Sequence, residues 1–375
     1  MKYHNHQILT IKKKENWILA NSIIQLILFY YHINLIEKAM KFHQILIVTL
    51  ILAWLNQDAI GQTKQLNNFS HHELIVDGDT INYHVYASNE NNVKQKNLLL
   101  YLQGSSASSI LQIKEINGQK VLTTAIPIDL DQIPHEYDFV MISKKGFPWS
   151  MEVKREIKVP DVYYEHQTLA YRAFQADEVL KHLLNKRKYA KIVVLGHSEG
   201  SDVVAKLGTL NTEITHFGYL SGGGANQILD FILFIRREAL MGNMSEEESV
   251  AEINSTLDKY TEIMDNSDAI DKFWSGKTNS YKRWSSFSEP PIANLLKIDK
   301  PIFAAIGSQD NSVALESFYL IPIEFIRYKK DNLTFKVYPD LDHQFGKILA
   351  DGSYKDEWKG LIGEFLIWVD SIENN

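Results

Sequence analysis

The chain of 375 residues carries 39 basic and 46 acidic side chains, a formal net charge of −7, with 45% hydrophobic residues and no cysteine. This apolar share is enough to bury one large core or two ordinary ones, which excludes a disordered or low-complexity chain. The acidic balance offers no concentrated basic face for nucleic acid, and the lack of cysteine excludes disulfides, thiolate metal sites and a cysteine nucleophile.

Two apolar stretches open the chain. The second starts at Met40 and has a basic residue, a short apolar run and small residues before position 62, a pattern typical of a secretory signal peptide. We therefore expect a signal peptide at 40–61, an over-extended N-terminus at 1–39, and an exported protein that is periplasmic or secreted. The alternative is a membrane anchor at 17–36, because that stretch is long enough to cross a bilayer.

From about residue 73 the sequence indicates strands first and then strands alternating with helices. Buried strands appear as continuous apolar runs, and helices as apolar residues at helical spacing. The predicted strands are 73–76, 81–87, 97–103, 137–143, 191–195, 216–220, 301–306 and 333–338. The predicted helices are 165–186, one that ends near 210, and one from about 356 to 372.

This alternation predicts an α/β fold with a mostly parallel central sheet and helices on both of its faces. The first two strands form a hairpin around Asp77-Gly78-Asp79, which adds an antiparallel edge to the sheet. Residues 225–299 carry no strand pattern and are interpreted as a helical insertion over the carboxyl edge of the sheet. The core is then expected to comprise 62–224 and 300–375.

The strongest chemical signal is Gly196-His197-Ser198-Glu199-Gly200, which lies directly between a predicted strand and a predicted helix. A serine on such a tight strand–turn–helix connection has an exposed hydroxyl, and the flanking glycines allow strand and helix to approach closely. The start of the helix also places backbone N–H groups beside the serine. Ser198 is therefore the candidate nucleophile.

A serine hydroxyl needs a base and an acid that orients the base. His343 is the best placed histidine because it follows the last predicted strand in a loop. Asp310 directly follows the strand 301–306 and is the candidate acid, with capping of the next helix as its alternative role. Asp340 and Asp342 are rivals, but they lie too near His343 in sequence to reach the far nitrogen of its ring.

The developing oxyanion needs two donors. One is expected to be the backbone N–H of Glu199, and the other a backbone N–H of Gly104 or Ser105 in the loop after the strand 97–103. The Glu199 side chain is interpreted as a solvated carboxylate at the start of a helix, with recognition of a cationic substrate as the alternative.

With these residues the chain resembles the α/β-hydrolase family over roughly residues 73–375. The resemblance rests on the elbow GHSEG around Ser198, on GSQD at Asp310, on DLDHQF at His343 and on the turn after residue 103. The elbow is similar to that of exported bacterial serine hydrolases of the esterase and dipeptidyl-peptidase-like groups. The resemblance implies the α/β-hydrolase fold, a helical cap inserted after the sixth strand, and acyl transfer through an acyl-enzyme without a metal or cofactor.

Cleavage of a carboxylic ester is the expected activity on a small-molecule or short acyl substrate. The alternatives are an exported serine peptidase or aminopeptidase, and a catalytically silent binding protein on the same fold. Contact with a membrane is expected only through an uncleaved N-terminal segment, and the oligomeric state stays open. Five aromatic residues are candidates either for an apolar substrate pocket or for packing of the cap on the core: Phe147, Trp149, Phe231, Trp274 and Trp284.

Overall fold

The computed structural model describes residue 66 and residues 68–87, 96–116, 118–153 and 157–372. The signal peptide expected at 40–61, the segment 1–39 and the alternative anchor at 17–36 lie outside the described residues. Among the residues that are described, no helix is both long enough and apolar enough to span a membrane.

Strands and helices alternate through most of the described chain. The strands are, in chain order, β1 (Phe69–Val76), β2 (Asp79–Ala87), β3 (Lys96–Leu102), β4 (Leu111–Ile116), β5 (Gln119–Thr124), β6 (Tyr137–Ile142), β7 (Ser150–Val153), β8 (Tyr189–His197), β9 (His216–Leu220), β10 (Ile302–Gly307), β11 (Leu333–Tyr338), β12 (Gly346–Ile348) and β13 (Tyr354–Asp356). The α-helices are α1 (Asp161–His166), α2 (Leu169–Lys186), α3 (Glu199–Leu207), α4 (Gln227–Leu240), α5 (Glu246–Asp265), α6 (Tyr281–Ser286), α7 (Ile292–Leu295), α8 (Leu315–Arg327) and α9 (Trp358–Ser371).

The central sheet has eight strands in the order β1-β2-β6-β3-β8-β9-β10-β11. All neighbours from β6 to β11 are parallel, whereas β1 pairs with β2 and β2 with β6 in antiparallel fashion. Every residue of β3 and β6 is buried, as expected for apolar strands covered on both faces. The predicted mostly parallel sheet with an antiparallel N-terminal hairpin is confirmed.

Helices cover both faces of this sheet, and the sheet separates the core into two clusters of buried residues. On one face α2, α3 and α8 pack their apolar sides, with residues such as Val179, Val204 and Phe318 fully buried. On the other face α9 contributes Ile362 and Phe365. This two-sided cover fixes the strands firmly and leaves their carboxyl ends to carry the loops.

The structure differs from the sequence prediction in the helix expected over 165–186. That segment is divided into α1 and α2, because the Thr168 side chain accepts a hydrogen bond from the Tyr171 N–H and so caps a new helix. A small sheet in the order β5-β4-β7 was also not predicted. None of its strands is covered on both faces, and polar side chains make up much of each, so they lack a continuous apolar run.

The helices α4–α7 follow β9, which is the sixth strand of the central sheet in chain order. The Ile292 N–H donates to the Gly224 carbonyl at 3.1 Å, which joins the end of this insertion to its start. Helix α6 packs beside α1 and α2, and its Arg283 reaches the Glu199 carboxylate at the carboxyl end of β8. The insertion therefore contacts the core next to Ser198.

Candidate active site

Ser198 lies on the sharp turn between β8 and α3. Its backbone has φ 57° and ψ −128°, a combination that side-chain-bearing residues rarely adopt. The turn is held by a hydrogen bond from the Ser198 N–H to the Leu220 carbonyl at 2.9 Å. Strain of this kind persists only where the surroundings enforce it, and it is common at functional sites.

Three side chains from the carboxyl ends of three strands of the central sheet meet at this turn. The Nε2 atom of His343 lies 3.0 Å from the Oγ of Ser198, and its Nδ1 atom lies 2.8 Å from the Oδ2 of Asp310. Ser198 follows β8, Asp310 follows β10, and His343 follows β11, so the parallel sheet brings their loops to one edge. The structure thus brings together the three residues that the sequence predicted as a set.

Backbone donors fix the carboxylate of Asp310. The N–H groups of Ser312 and Val313 each donate to its Oδ1 at 2.8 Å, and the His343 Nδ1 lies 2.9 Å from Oδ1 and 2.8 Å from Oδ2. Asp310 therefore binds the imidazole and also holds the turn that follows it. It does not cap the next helix, the alternative role expected from the sequence, because α8 begins at Leu315 with Ala314 as its N-cap residue and without a side-chain cap.

The rival acids do not face the imidazole. Asp340 is exposed, and the Oδ1 of Asp342 accepts the N–H groups of Gln344 and Gly346 within its own loop. Asp342 thus shapes the loop that carries His343.

His197 supports the backbone of His343, and sequence reasoning missed this contact. Its Nε2 donates to the His343 carbonyl at 2.8 Å, and the Ser221 hydroxyl donates to the same carbonyl at 3.2 Å. Burial, with the neighbouring His343 ring, lowers the pKa of His197 to about 4, so the His197 ring is neutral at pH 7.

The two predicted sources of oxyanion donors lie on either side of Ser198. Glu199 is the first residue of α3, where backbone N–H groups have no partner within the helix. Gly104 approaches so closely that a β-carbon on it would lie 3.3 Å from the Ser198 Cβ. Ser105 lines the same cavity as Ser198.

The Glu199 side chain is not solvated, so that interpretation was wrong. It is 1% exposed and pairs with Arg172 at 2.5 Å, with Arg283 at 2.9 Å and with Lys144 at 4.0 Å. Burial alone would raise the pKa of Glu199, but Arg283, Lys144 and Arg172 lower it to about 2. A carboxylate held in this way is also not free to bind a cationic substrate, which corrects the alternative.

A cavity of about 470 Å³ opens beside Ser198 and His343. Hydroxyl and amide groups dominate its lining, and none of the lining residues in the described chain is Asp, Glu, Lys or Arg. These residues are Tyr101, Gln103, Gly104, Ser105, Ser106, Ser108, Thr124, Ala125, Pro127, His197, Ser198, Gln227, Ser312, His343 and Gln344. Such a lining suits an uncharged, polar group. In the described residues, no cluster of three or more His, Asp or Glu side chains could hold a metal ion.

The two aromatic residues predicted after the fourth strand do not line this cavity. Phe147 is buried against Tyr163, with ring centroids 5.3 Å apart. Trp149 packs against Phe69 at 4.8 Å and His84 at 4.4 Å. Their apolar area is used in packing within the core, so the expectation of substrate contact is corrected.

The aromatic residues of the insertion also lie elsewhere. Phe231, Trp274 and Trp284 contact one another in edge-to-face and tilted pairs, with centroids 5.0 to 5.7 Å apart. Phe231 and Trp274 line a second cavity of about 460 Å³ within the insertion. These three residues therefore pack against one another inside the insertion, rather than between the cap and the core as the alternative expected.

The sheet order, the turn after β8 and the insertion after β9 are those of the α/β-hydrolase fold, and the chain has this fold. The sequence model of the Dienelactone hydrolase family matches residues 268–360, a segment that includes Asp310 and His343 but not Ser198. The chain matches none of the curated protein sequences.

Solved structures of hydrolases are similar to the chain at low sequence identity. Est1E from Butyrivibrio proteoclasticus with bound ferulic acid is 16% identical, with 80% of this chain and 100% of that chain covered and a TM-score of 0.49. The esterase Pf2001 of Pyrococcus furiosus is 14% identical, with 81% and 92% covered and a TM-score of 0.48. A puromycin-hydrolyzing peptidase of Mycobacterium tuberculosis is 11% identical, with 74% and 36% covered and a TM-score of 0.47.

Proposed function

We propose that this protein is a serine hydrolase that cleaves a carboxylic ester of a small, uncharged, polar substrate through Ser198, His343 and Asp310. The observation that supports this most is the continuous chain of contacts from Asp310 Oδ2 through the His343 ring to Ser198 Oγ, at 2.8 and 3.0 Å. This arrangement lets an imidazole take a hydroxyl proton while a carboxylate stabilises the resulting charge.

The proposed reaction has two steps. Ser198 Oγ attacks the ester carbonyl carbon while His343 Nε2 takes the hydroxyl proton, and the backbone N–H groups of Glu199 and Ser105 bind the oxyanion. His343 then gives its proton to the departing alcohol, which leaves an acyl-enzyme. Water attacks the acyl-enzyme with His343 again as the base, and the carboxylic acid departs as Ser198 regains its proton.

The charges around the site favour an ester over the aminoacyl amide of an aminopeptidase. Binding of a substrate ammonium group calls for a free carboxylate near the nucleophile. Glu199 is the acid next to Ser198, and two guanidinium groups occupy both of its oxygens. Asp161 and Glu165, the acids of α1, are exposed and do not line the cavity.

A fluorophosphonate probe tests the nucleophile directly. We expect the full chain to be labelled with a stoichiometry near one, and Ser198→Ala to remain unlabelled. His343→Gln should slow labelling by at least about 100-fold because the general base is lost. The matched controls are Ser371→Ala and His135→Gln, which change exposed residues far from these groups in the chain and should label like the parent.

Substrate preference is tested on the same preparation. Hydrolysis of 4-nitrophenyl acetate is expected to exceed that of 4-nitrophenyl octanoate and of alanine 4-nitroanilide in kcat/KM by at least about tenfold, because the cavity offers neither a long apolar wall nor a free carboxylate. A folded parent that takes up no probe would contradict the serine-hydrolase proposal. A preference for the anilide would favour the peptidase instead.

A further inference from the structure

The loop that follows β3, residues 103–106, is held from behind by side chains that bind its carbonyl groups. We call it the oxyanion loop, because Gly104 and Ser105 belong to it. Each of its four carbonyls lies within hydrogen-bond distance of a donor side chain. The donors are Arg172 Nη2 to Gln103 O at 2.7 Å, Lys144 Nζ to Gly104 O at 2.5 Å and to Ser106 O at 2.7 Å, and Tyr163 Oη to Ser105 O at 3.4 Å.

Because a peptide group is planar, a contact that fixes the direction of its carbonyl also fixes the direction of its N–H. In a trans peptide the C=O and N–H bonds point in opposite directions, and none of the described peptide bonds is cis. Because Lys144 binds the Gly104 carbonyl from behind, the N–H of Ser105 in the same peptide group points to the other side of the loop. Ser105 lines the cavity with Ser198, so that side is the side of the proposed oxyanion.

Glu199 ties these holding groups to the other half of the oxyanion site. Its carboxylate pairs with Arg172 and lies 4.0 Å from the Lys144 ammonium, while its own backbone N–H starts α3 beside Ser198. Arg283 of the insertion donates to the second carboxylate oxygen at 2.9 Å. One buried carboxylate is therefore linked to both sources of N–H donors.

A purely structural role accounts poorly for Lys144. Its side chain is 4% exposed, and burial, followed by the nearby Arg172 guanidinium, lowers its pKa well below 10.5. Burying an amine costs free energy that a Met of similar length would not incur. The amine is, however, the group that reaches both the Gly104 and the Ser106 carbonyls.

We propose that Lys144, anchored beside Glu199, is a positioning residue that aims the Ser105 N–H at the oxyanion of the reaction. This inference rests on the proposed function. Lys144 touches neither the substrate nor Ser198, and it acts through the oxyanion loop alone. Its removal should therefore weaken binding of tetrahedral species and leave ground-state binding almost unchanged.

The test compares Lys144→Met with the parent and with Lys145→Met. We expect kcat for 4-nitrophenyl acetate to fall about 30- to 300-fold, somewhat less than the loss of an oxyanion donor, with KM changed by less than about threefold. The inhibition constant of propylboronic acid, which forms a tetrahedral adduct with a serine, should rise by a similar factor. Lys145 is the matched control, because its ammonium binds Asp79 and the Thr80 carbonyl rather than the oxyanion loop.

A count of reactive sites shows whether a lower rate comes from slower catalysis at each site or from a smaller fraction of folded protein. The final extent of fluorophosphonate labelling counts molecules with an intact Ser198, and all rates are expressed per labelled site. Lys144→Met with parental kcat and parental boronic acid affinity per site would overturn the proposal. A parent that takes up no probe would instead overturn the proposed function, so the two failures are distinguishable.

If Lys144→Met does not fold, a measurement on the parent protein tests the contact on which the proposal depends, that of the Ser105 N–H with the oxyanion. With serine labelled by ¹⁵N, the amide proton of Ser105 should move downfield when propylboronic acid binds, because it becomes the donor to a boronate oxygen. The Ser70 amide, in the edge strand β1, serves as the internal reference. An unmoved Ser105 amide in a saturated complex would overturn the proposal.

Discussion

The carboxylate of Asp310 has three donors around it, and their arrangement makes the effect of an amide replacement predictable. Two backbone N–H groups, from Ser312 and Val313, bind Oδ1, and the His343 Nδ1 lies between the two oxygens, 2.9 Å from Oδ1 and 2.8 Å from Oδ2. In Asp310→Asn the amide oxygen is expected to stay on the two backbone donors, so the amide NH₂ turns toward Nδ1. His343 must then accept at Nδ1 and carry its proton on Nε2, where it can no longer take the Ser198 proton.

We therefore expect Asp310→Asn to lower kcat by about 10³- to 10⁴-fold while the fold is retained. Steady-state hydrolysis of 4-nitrophenyl acetate measures the loss, and thermal unfolding checks the fold. Asp340→Asn is the matched control, because Asp340 is exposed in the same loop as His343 and asparagine tolerates its positive φ of 62°. A loss below tenfold in Asp310→Asn would contradict its assignment as the acid.

Among the elements, the strand–turn–helix of β8 and α3 has the tightest packing near the site. A β-carbon on Gly200 would lie 1.9 Å from the Leu102 carbonyl oxygen, and one on Gly196 would lie 2.2 Å from the Gly200 oxygen. These neighbours are backbone atoms of β3 and α3, so they cannot turn aside as a flexible side chain does. The two glycines are what allows α3 to start directly behind Ser198.

Gly200→Ala is accordingly expected to lower the free energy of unfolding by about 3 kcal/mol or more, and to lower soluble yield. Gly363 provides a control of opposite sign, since it lies in α9 with no atom within 4 Å of an added β-carbon. Gly363→Ala should raise the free energy of unfolding by up to about 1 kcal/mol. Urea unfolding of the three proteins measures both changes, and a Gly200→Ala midpoint equal to the parent's would contradict the packing argument.

The local pattern of each strand or helix determined which parts of the fold and of the site could be predicted from the sequence. Ser198 directly follows its strand, and Asp310 and His343 lie in the loops after theirs, so a local pattern placed all three at the same edge of the sheet. The small sheet β5-β4-β7 was not predicted because its strands are partly exposed and contain no continuous apolar run. The aromatic residues were visible, but their partners come from distant segments, and a sequence does not reveal whether a ring packs against protein or faces a cavity.

The charged groups around Glu199 come from separate elements, which is why they were missed. Lys144 follows β6, Arg172 lies in α2, and Arg283 lies in α6 of the insertion. One signal was nevertheless present in the sequence: Arg172 stands on the apolar side of α2, three residues after Leu169 and four before Ala176. An arginine on a buried helix face needs a partner, and that requirement points to a buried acid.

At the scale of the whole molecule, several titratable side chains are shielded from solvent at the junction between core and insertion. Asp202 of α3 is half-buried near Arg283, with the Tyr219 hydroxyl 3.3 Å from its Oδ1. Burial raises the pKa of Asp202 to about 8, and the nearby Glu199 carboxylate adds to the shift. Asp230 of α4 behaves similarly, since burial raises its pKa to about 7. Both carboxyl groups therefore keep their protons well above the usual pH range of an aspartate.

These raised pKa values make stability depend on pH. An aspartate in the unfolded chain loses its proton near pH 3.8, whereas folded Asp202 keeps its proton up to about pH 8. Between these values the folded state binds one more proton, so the contribution of Asp202 to the free energy of unfolding is fully present below pH 3.8 and falls as the pH rises. The decline is up to about 1.4 kcal/mol per pH unit and ends above pH 8.

Asp202→Asn isolates this contribution because asparagine has the same shape and does not titrate. We expect the free energy of unfolding of the parent, minus that of the variant, to decrease steadily from pH 5 to pH 8 in urea unfolding experiments. Asp299→Asn is the control: Asp299 is exposed, and its hydrogen bond with Lys330 lowers its pKa, so it is ionised in both states throughout this range and the difference should stay flat. A flat difference for Asp202→Asn as well would mean that the folded protein holds this carboxylate ionised at the junction of core and insertion.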